Sequence, residues 1–217
     1  EFSTPCFPPL LPSPSLSLPS MQVSAELILA SQSPRRQALL DQIHVSYTVR
    51  VSPADETVDP GLGPQQVVHR LADRKATPVA AEHPTALTLA ADTVVALDGE
   101  VLTKPQDATH AAEMLRRLSG TQHTVYTGLT LLHPASDRQA TRVEATEVHV
   151  ASLSDSEIDA YVATGSPLDK AGGYGIQDHT APLFIDRIDG DYYNVVGLPL
   201  RRFYHLLQTH FGDLLLH

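Results

Sequence analysis

The sequence contains a single cysteine, Cys6, among its 217 residues. One cysteine can form neither an intramolecular disulfide nor a thiolate metal site, and it favours a reducing compartment, so we expect a cytoplasmic protein. The eleven histidines show no H-x-H or H-x-x-x-H spacing, and no G-x-S-x-G segment is present. These absences argue against a histidine metal centre and leave nucleophilic hydrolase chemistry without a candidate residue.

Basic residues are also scarce, with 15 Lys and Arg against 25 Asp and Glu, which gives a net charge of −10. No Lys/Arg block occurs, so the chain lacks the charge pattern of a nucleic-acid-binding protein. No stretch approaches the roughly 18 uninterrupted apolar residues of a membrane helix. We therefore expect neither nucleic acid nor a membrane as partner. An anionic ligand would have to be bound by a few well-placed cations, helped by a metal ion.

The first 20 residues differ in composition from the rest, with six prolines among them. They begin with an acid, carry no basic segment, and have an apolar run that proline interrupts, so they resemble neither a signal peptide nor a membrane span. We interpret residues 1–20 as a leader or a disordered extension. Met21 opens a regular sequence, and residues 21–217 are predicted to form one domain.

Apolar periodicity predicts an α/β protein. Strands are predicted at residues 26–30, 45–51, 87–97, 101–102, 123–132, 140–151 and 184–188. Helices are predicted at residues 34–43, 65–81, 107–120, 154–163 and 198–211, and a loop is predicted to begin at Asn194. Strands and helices alternate early, while the later strands are antiparallel, so the expected fold is a mixed central sheet flanked by helices. Unusual polar motifs occur in both halves, which favours two lobes around a cleft.

The segment Ser31 to Arg36, S-Q-S-P-R-R, joins a predicted strand to a helix. A helix N-terminus presents unpaired N–H groups to anions, and hydroxyl and guanidinium groups at that point strengthen a phosphate site. Arg35 and Arg36 are about 100° apart on a helix, so one of them is expected to face a given ligand. Read alone, the segment is equally compatible with a capped helix bearing two solvated arginines.

Asp92 lies in the apolar run L-T-L-A-A-D-T-V-V-A-L. A carboxylate in a buried strand needs a partner, so Asp92 is either a structural, ion-paired acid or a metal ligand or general base. The Asp98-Gly99 turn predicts a hairpin that returns Lys104 towards Asp92. Lys75 on its helix is, by itself, a solvated lysine, and the loop acid Glu56 is either solvated or an oxygen ligand for Mg²⁺.

The motifs L-I-L-A-S-Q-S-P-R-R, A-D-T-V-V, K-P, D-K-A-G-G-Y-G-I-Q and N-V-V-G-L-P occur in this order. Together they resemble the Maf family of nucleotide pyrophosphatases from about residue 26 to residue 211, and A-D-T-V-V with G-Y-G-I-Q resembles the branch that cleaves dTTP and UTP. The resemblance implies cleavage of a nucleoside triphosphate to the monophosphate and pyrophosphate with a divalent metal, Mg²⁺ or Mn²⁺. It also implies a fold related to inosine-triphosphate pyrophosphatases, and a homodimer.

The resemblance assigns roles to individual residues. Asp92 matches the catalytic acid, which accepts a proton from the attacking water, and with Glu56 it is assigned to the metal. The phosphate-binding set is Ser31, Arg36, Lys75 and Lys104. The set associated with base selection is Arg35, Thr93 and Gln177.

The sequence departs from the family pattern at two positions: Asp178 stands where close relatives often have Gly, and Ser166 stands where Glu is usual. These departures put the substrate preference in doubt more than the chemistry. Two other functions stay open: the same reaction on a modified guanine nucleotide such as 7-methyl-GTP, and a non-catalytic, nucleotide-binding regulator of cell division.

Overall fold

The computed structural model of the protein describes residues 22–57 and 61–216. The interpretation of residues 1–20 as a leader lies outside the described residues. Within them, the strands are β1 Gln22–Val23, β2 Leu27–Leu29, β3 Thr48–Val49, β4 Leu87–Leu97, β5 Glu100–Leu102, β6 Gln122–His133, β7 Arg138–Val150, β8 Ile185–Asp189 and β9 Leu215–Leu216. The α-helices are α1 Pro34–Gln42, α2 Pro64–Glu82, α3 Ala108–Leu118, α4 Asp155–Ala163, α5 Tyr192–Val196 and α6 Leu200–His210. No helix in these ranges is long and apolar enough to cross a membrane.

Seven strands form one mixed sheet in the order β3-β2-β4-β6-β7-β8, with β5 paired to β4. Strand β2 runs parallel to both β3 and β4, and the other pairs in this sheet are antiparallel. Strands β1 and β9 pair separately. The predicted mixed central sheet flanked by helices is therefore confirmed.

Local sequence signals set most of the element boundaries. The apolar run 87–97 forms β4 over its whole length, and its side chains are buried on both faces except for the half-buried Thr93. Asp107 caps α3 by accepting a hydrogen bond from the His110 N–H at 2.8 Å. Ser154 and Glu157 form the predicted capping box at the start of α4. These caps satisfy N–H groups that have no partner inside the helix.

Helix α2 packs unusually close to the sheet at Gly128 on β6. A Cβ atom at Gly128 would lie 2.1 Å from the carbonyl oxygen of Val68, so only glycine permits this approach. Gly128 is also the direct neighbour of Asp92 across the β4–β6 ladder. Lys75 follows Val68 by seven residues, two helical turns, and lies on the same buried face of α2. The glycine therefore brings Lys75 up to Asp92.

One edge of β4 carries an opening that we call the sheet gap, residues 90–94. Strand β2 pairs with Leu87–Leu89, and β5 pairs with β4 from Val95 to Leu97; among the described residues, no strand pairs with residues 90–94 on that side. Successive strand residues point to opposite faces, so Asp92 and Thr93 emerge on different faces of the sheet at the gap. A polar pair can occupy a central strand here because the gap opens into a cleft.

Two sequence-based predictions are wrong. The strand predicted at 45–51 is reduced to Thr48–Val49, because the Val45 N–H instead donates to the Leu40 carbonyl at 3.2 Å and closes the end of α1. Asn194 does not begin a loop: it lies within α5, where Asp191 accepts a hydrogen bond from the Tyr193 N–H at 2.8 Å and caps the helix.

Candidate active site

A cleft of about 680 Å³ opens at the sheet gap, lined by residues from both halves of the chain. Its volume lies within the range of about 300–1,000 Å³ typical of small-molecule sites. The lining holds five cationic and three anionic side chains: Arg35, Arg36, Lys75, Lys104, Lys170, Glu56, Asp92 and Asp169. The cleft is thus locally positive in a chain of net charge −10. The predicted cleft is confirmed, and the strands that contribute to its lining belong to one mixed sheet.

The strand-to-helix segment after β2 forms one wall of the cleft. Ser33 caps α1, its hydroxyl oxygen accepting from the Arg36 N–H at 3.5 Å, and Pro34 takes the first helical position. The Ser31 hydroxyl accepts from the Ser33 N–H at 3.2 Å. Hydroxyl groups and a helix N-terminus are therefore assembled where the sequence predicted an anion site.

The Arg36 guanidinium connects three parts of this wall. It donates to the Ser31 hydroxyl at 3.1 Å, to the Thr93 hydroxyl at 3.3 Å and to the Gly197 carbonyl at 2.9 Å. Burial lowers the pKa of Arg36, while the charge of Asp92 acts in the opposite direction. A planar guanidinium with several fixed donors can hold these partners together, which a lysine could not do.

Lys75 lies between two carboxylates. Its ammonium group donates to Asp92 Oδ1 and lies 2.9 Å from Glu56 Oε1. Lys75 and Asp92 are buried, so their charges have few water molecules to solvate them. The hydrogen bond from Lys75 lowers the pKa of Glu56, and the charge of Lys104 lowers it further. The reading of Lys75 as a solvated lysine is therefore wrong, and Asp92 has the partner that its buried position requires.

The two arginines diverge as the helical geometry predicted. Arg36 points towards the sheet gap, while Arg35 forms an ion pair with Asp169 at 2.8 Å. Desolvation raises the pKa of Asp169, but hydrogen bonds from Lys170 and Arg35 outweigh it and lower that pKa below its ordinary value. Arg35 thus joins α1 to the glycine-rich loop that leads to Gln177.

The remaining predicted residues also line the cleft. Lys104 follows β5 and is exposed at the cleft, as the predicted hairpin requires. Thr93 bonds to Arg36 and lies 2.9 Å from the Thr127 hydroxyl, which places it beside the guanidinium assigned to phosphate. Gln177 lies at the end of the glycine-rich loop and also lines the cleft. All the residues of the predicted site are therefore brought together, and their individual roles remain predictions.

Sequence reasoning missed a polar cluster next to Gln177, which we call the Asp178 cluster: the buried Tyr161 and Lys170 and the half-buried Ser166 and Asp178. Asp178 Oδ2 accepts from the Tyr161 and Ser166 hydroxyls, each at 2.6 Å. Asp178 and Ser166 are the two positions at which the sequence departs from the family pattern, and the structure shows that they contact each other. No local signal predicts this, because Ser166 and Asp178 are twelve residues apart in an irregular segment, and only the bond from Tyr161 connects them to α4.

Two further supporting residues were missed. Gly128 carried a usable signal, since an isolated glycine inside a strand indicates a close backbone approach. His123 lies on β6, where its Nε2 is 2.7 Å from the hydroxyl of Tyr174, a residue of the cleft lining. Burial lowers the pKa of His123 to about 4, so this imidazole is neutral at pH 7.

Fold and site together define the class of protein: an α/β protein whose cleft combines a helix N-terminus, several cations and a buried carboxylate, features suited to a phosphorylated ligand. The family follows from comparison of the sequence. A model of the family described as Maf-like protein matches residues 26–210, so the chain belongs to that family.

Curated relatives match over nearly their full length. A protein of Salinibacter ruber named dTTP/UTP pyrophosphatase is 66% identical over 197 residues, covering 91% of this chain and 97% of the relative. Proteins of the same name from Symbiobacterium thermophilum and Bacillus pumilus are 50% and 47% identical, covering 86% and 85% of this chain and 94% and 96% of the relatives. Among solved structures, the Staphylococcus aureus Ham1 protein is similar at a TM-score of 0.40 and 15% identity, covering 58% of this chain and 72% of its own.

Proposed function

We propose that this protein is a nucleoside triphosphate pyrophosphatase that cleaves dTTP and UTP to the nucleoside monophosphate and pyrophosphate. The observation that carries the proposal is the placement of Asp92. Its buried carboxylate accepts a hydrogen bond from Lys75. Asp92 also lines the cleft at the sheet gap, together with five cationic side chains. Membership of the Maf-like family and the names of the relatives support this reaction and these substrates.

In the proposed reaction, the oxygen of a water molecule forms a bond to the α-phosphorus. The bond between that phosphorus and the α–β bridging oxygen breaks, and the bridging oxygen leaves with the pyrophosphate. Asp92 accepts the proton that the water loses. The phosphate oxygens, which carry charge throughout, are bound by the residues assigned from the sequence: Ser31, Arg36, Lys75 and Lys104.

A divalent cation, Mg²⁺ or Mn²⁺, is part of the proposal. Carboxylate oxygens of Glu56 and Asp92 converge on one ammonium group, that of Lys75, so the two side chains are placed to share a cation. The described residues contain no group of three or more His, Cys, Asp or Glu suited to a metal. The other ligands would therefore be phosphate oxygens and water, as is usual for Mg²⁺. When bound, the cation neutralises charge on the phosphate oxygens.

Selection of the base is assigned to three residues that line the cleft: Arg35, Thr93 and Gln177. Gln177 offers a donor and an acceptor in one amide, which suits the edge of a pyrimidine. Arg35 and Thr93 complete the predicted set. Arg35 is held by Asp169 at 2.8 Å, so its position is coupled to that of the loop that carries Gln177.

A panel of triphosphates assayed for pyrophosphate release tests the proposal: dTTP, UTP and 7-methyl-GTP, each with Mg²⁺ and with EDTA. We expect release from dTTP and UTP with Mg²⁺ and none with EDTA. Asp92→Asn should lower turnover about 1,000-fold, because general base catalysis contributes on the order of 10²–10⁴. Asp155→Asn is the matched control, since Asp155 is a surface carboxylate whose side chain is 78% exposed.

Each outcome decides between stated alternatives. A folded Asp92→Asn protein that releases pyrophosphate at the wild-type rate would refute the role of Asp92. Preferred cleavage of 7-methyl-GTP would favour the modified-guanine alternative, and no turnover of any nucleotide would favour the regulator. The homodimer and the cytoplasmic location remain predictions; light scattering of the purified protein tests the first.

A further inference from the structure

The Asp178 cluster is more closely bonded than a surface turn requires. Besides accepting from two hydroxyls, Asp178 lies 3.6 Å from the Lys170 ammonium group. Lys170 in turn donates to the Ser166 carbonyl at 2.6 Å and to Asp169 Oδ1 at 2.7 Å. Lys170 and Tyr161 are buried, and the side chain of Asp178 is only 15% exposed. Polar groups buried in this way stabilise one arrangement of the chain when all of them have partners.

The cluster determines the course of the backbone around Gln177. The Asp178 N–H donates to the Gly175 carbonyl at 2.9 Å, closing a turn that contains Gln177. The Gly175 N–H donates to the Tyr161 hydroxyl at 3.1 Å. A Cβ atom at Gly175 would lie 2.5 Å from Lys170 Cε and 2.9 Å from Asp178 Oδ1, so the turn packs directly on these side chains. Both ends of the turn are thus fastened to the cluster.

The cluster is also connected to α1 through Asp169. Asp169 accepts from Lys170 through Oδ1 and from Arg35 through Oδ2 at 2.8 Å. A continuous chain of polar contacts therefore runs from Asp178 through Lys170 and Asp169 to Arg35. The chain thus connects Arg35 with Asp178, the residue next to Gln177, although Arg35 and Gln177 belong to distant parts of the sequence.

We propose that Asp178 is a positioning residue for nucleobase selection: it does not touch the nucleotide, but holds the turn that presents Gln177 to the base. The inference rests on the proposed function. Groups that read a ligand must be held to within about half an ångström by the residues behind them. Loss of Asp178 releases one end of the turn, so contacts to the base weaken while contacts to the phosphates remain.

The test compares full-length Asp178→Ala with the wild type. For each protein, kcat and KM are measured for dTTP, UTP, dCTP and dGTP, and pyrophosphate is used as a competitive inhibitor that carries no base. We expect the ratio of kcat/KM between the best and the poorest nucleotide to fall about tenfold, roughly the effect of losing one hydrogen bond to a charged group. The loss should lie mainly in KM, with the pyrophosphate inhibition constant unchanged.

Two further variants allow for misfolding and for a merely structural effect. Lys170 keeps Asp169 and Ser166 as partners in Asp178→Ala, so we expect that variant to fold. If it does not fold, Tyr161→Phe removes one of the bonds to Asp178 and should reduce selectivity in the same direction. Asp178→Asn keeps the acceptor oxygen for both hydroxyls and should retain more selectivity than Asp178→Ala.

The results separate this inference from the proposed function. A wild-type protein that cleaves no nucleotide overturns both. A wild-type protein that cleaves dTTP and UTP, together with a folded Asp178→Ala variant of unchanged selectivity, overturns only the positioning role. An equal loss of kcat/KM for every nucleotide, with weaker pyrophosphate inhibition, also overturns it, because such a loss indicates general damage to the cleft.

Discussion

The buried pair of His123 and Tyr174 predicts a specific acid sensitivity of the fold. His123 is 2% exposed, and its ring meets the Tyr174 ring edge-on at a centroid distance of 5.4 Å. Burial, with a smaller contribution from the nearby charge of His149, lowers the pKa of His123 from 6.5 to about 4. In the unfolded chain the same imidazole titrates near its ordinary value.

The sign of the effect follows from proton uptake. Between pH 6.5 and about 4 the unfolded state binds a proton at His123 that the folded state does not bind, so the free energy of unfolding falls as the pH falls through this window. At about 1.36 kcal/mol per pKa unit, the full loss is about 3 kcal/mol. The loss at pH 5 is already about 2 kcal/mol, and it is negligible above pH 7.

Urea unfolding of the wild type and of His123→Gln, each at about pH 7.5 and pH 5, measures the loss of unfolding free energy that His123 causes in acid. Glutamine can donate to the Tyr174 hydroxyl but does not titrate, so acid should destabilise the wild type by about 2 kcal/mol more than the variant. All other titrating groups are common to both proteins and cancel in the comparison. Equal acid destabilisation of the two proteins would refute the reasoning.

Two further substitutions follow from the packing around the site. Gly128→Ala should lower the free energy of unfolding by about 3 kcal/mol, because the new Cβ would overlap the Val68 carbonyl; a variant as stable as the wild type in urea would contradict the close approach of α2. Arg36→Lys should reduce kcat/KM about 100-fold, because an ammonium group cannot hold the Ser31, Thr93 and Gly197 partners together. For Arg36→Lys, the exposed Arg142→Lys is the matched control, and equal activity of the two variants would contradict the role of the guanidinium.

Much of the fold could be predicted because its signals are local. An eleven-residue apolar run forms β4, and caps at Ser33, Asp107 and Ser154 begin three of the helices. The errors occur where hydrogen bonds at a helix end override the preference that the residue types indicate. Val45 has the composition of a strand residue, but its N–H closes a helix end instead.

The sequence likewise predicts some features of the candidate site and not others. Asp92 was identifiable because a carboxylate in an apolar run requires a partner. The sequence did not identify Lys75 as that partner, because the burial of Lys75 depends on Gly128, which is 53 positions away in the sequence. The Asp178 cluster could not be predicted from the sequence at all. Its bonds join a helix to an irregular loop, and the path of such a loop leaves no periodic pattern in the sequence.

The sheet gap has a consequence for the products of the proposed reaction. Lys75 approaches the gap from one face of the sheet, whereas the loop before Gln177 lies on the other face, where Gly172 packs against Val95. A nucleotide held from both faces behaves as a bivalent ligand, and its two ends reinforce each other's binding. Cleavage turns it into two monovalent fragments, and each loses this mutual reinforcement. We therefore expect product release to follow from the bond breakage alone, without any opening of the fold.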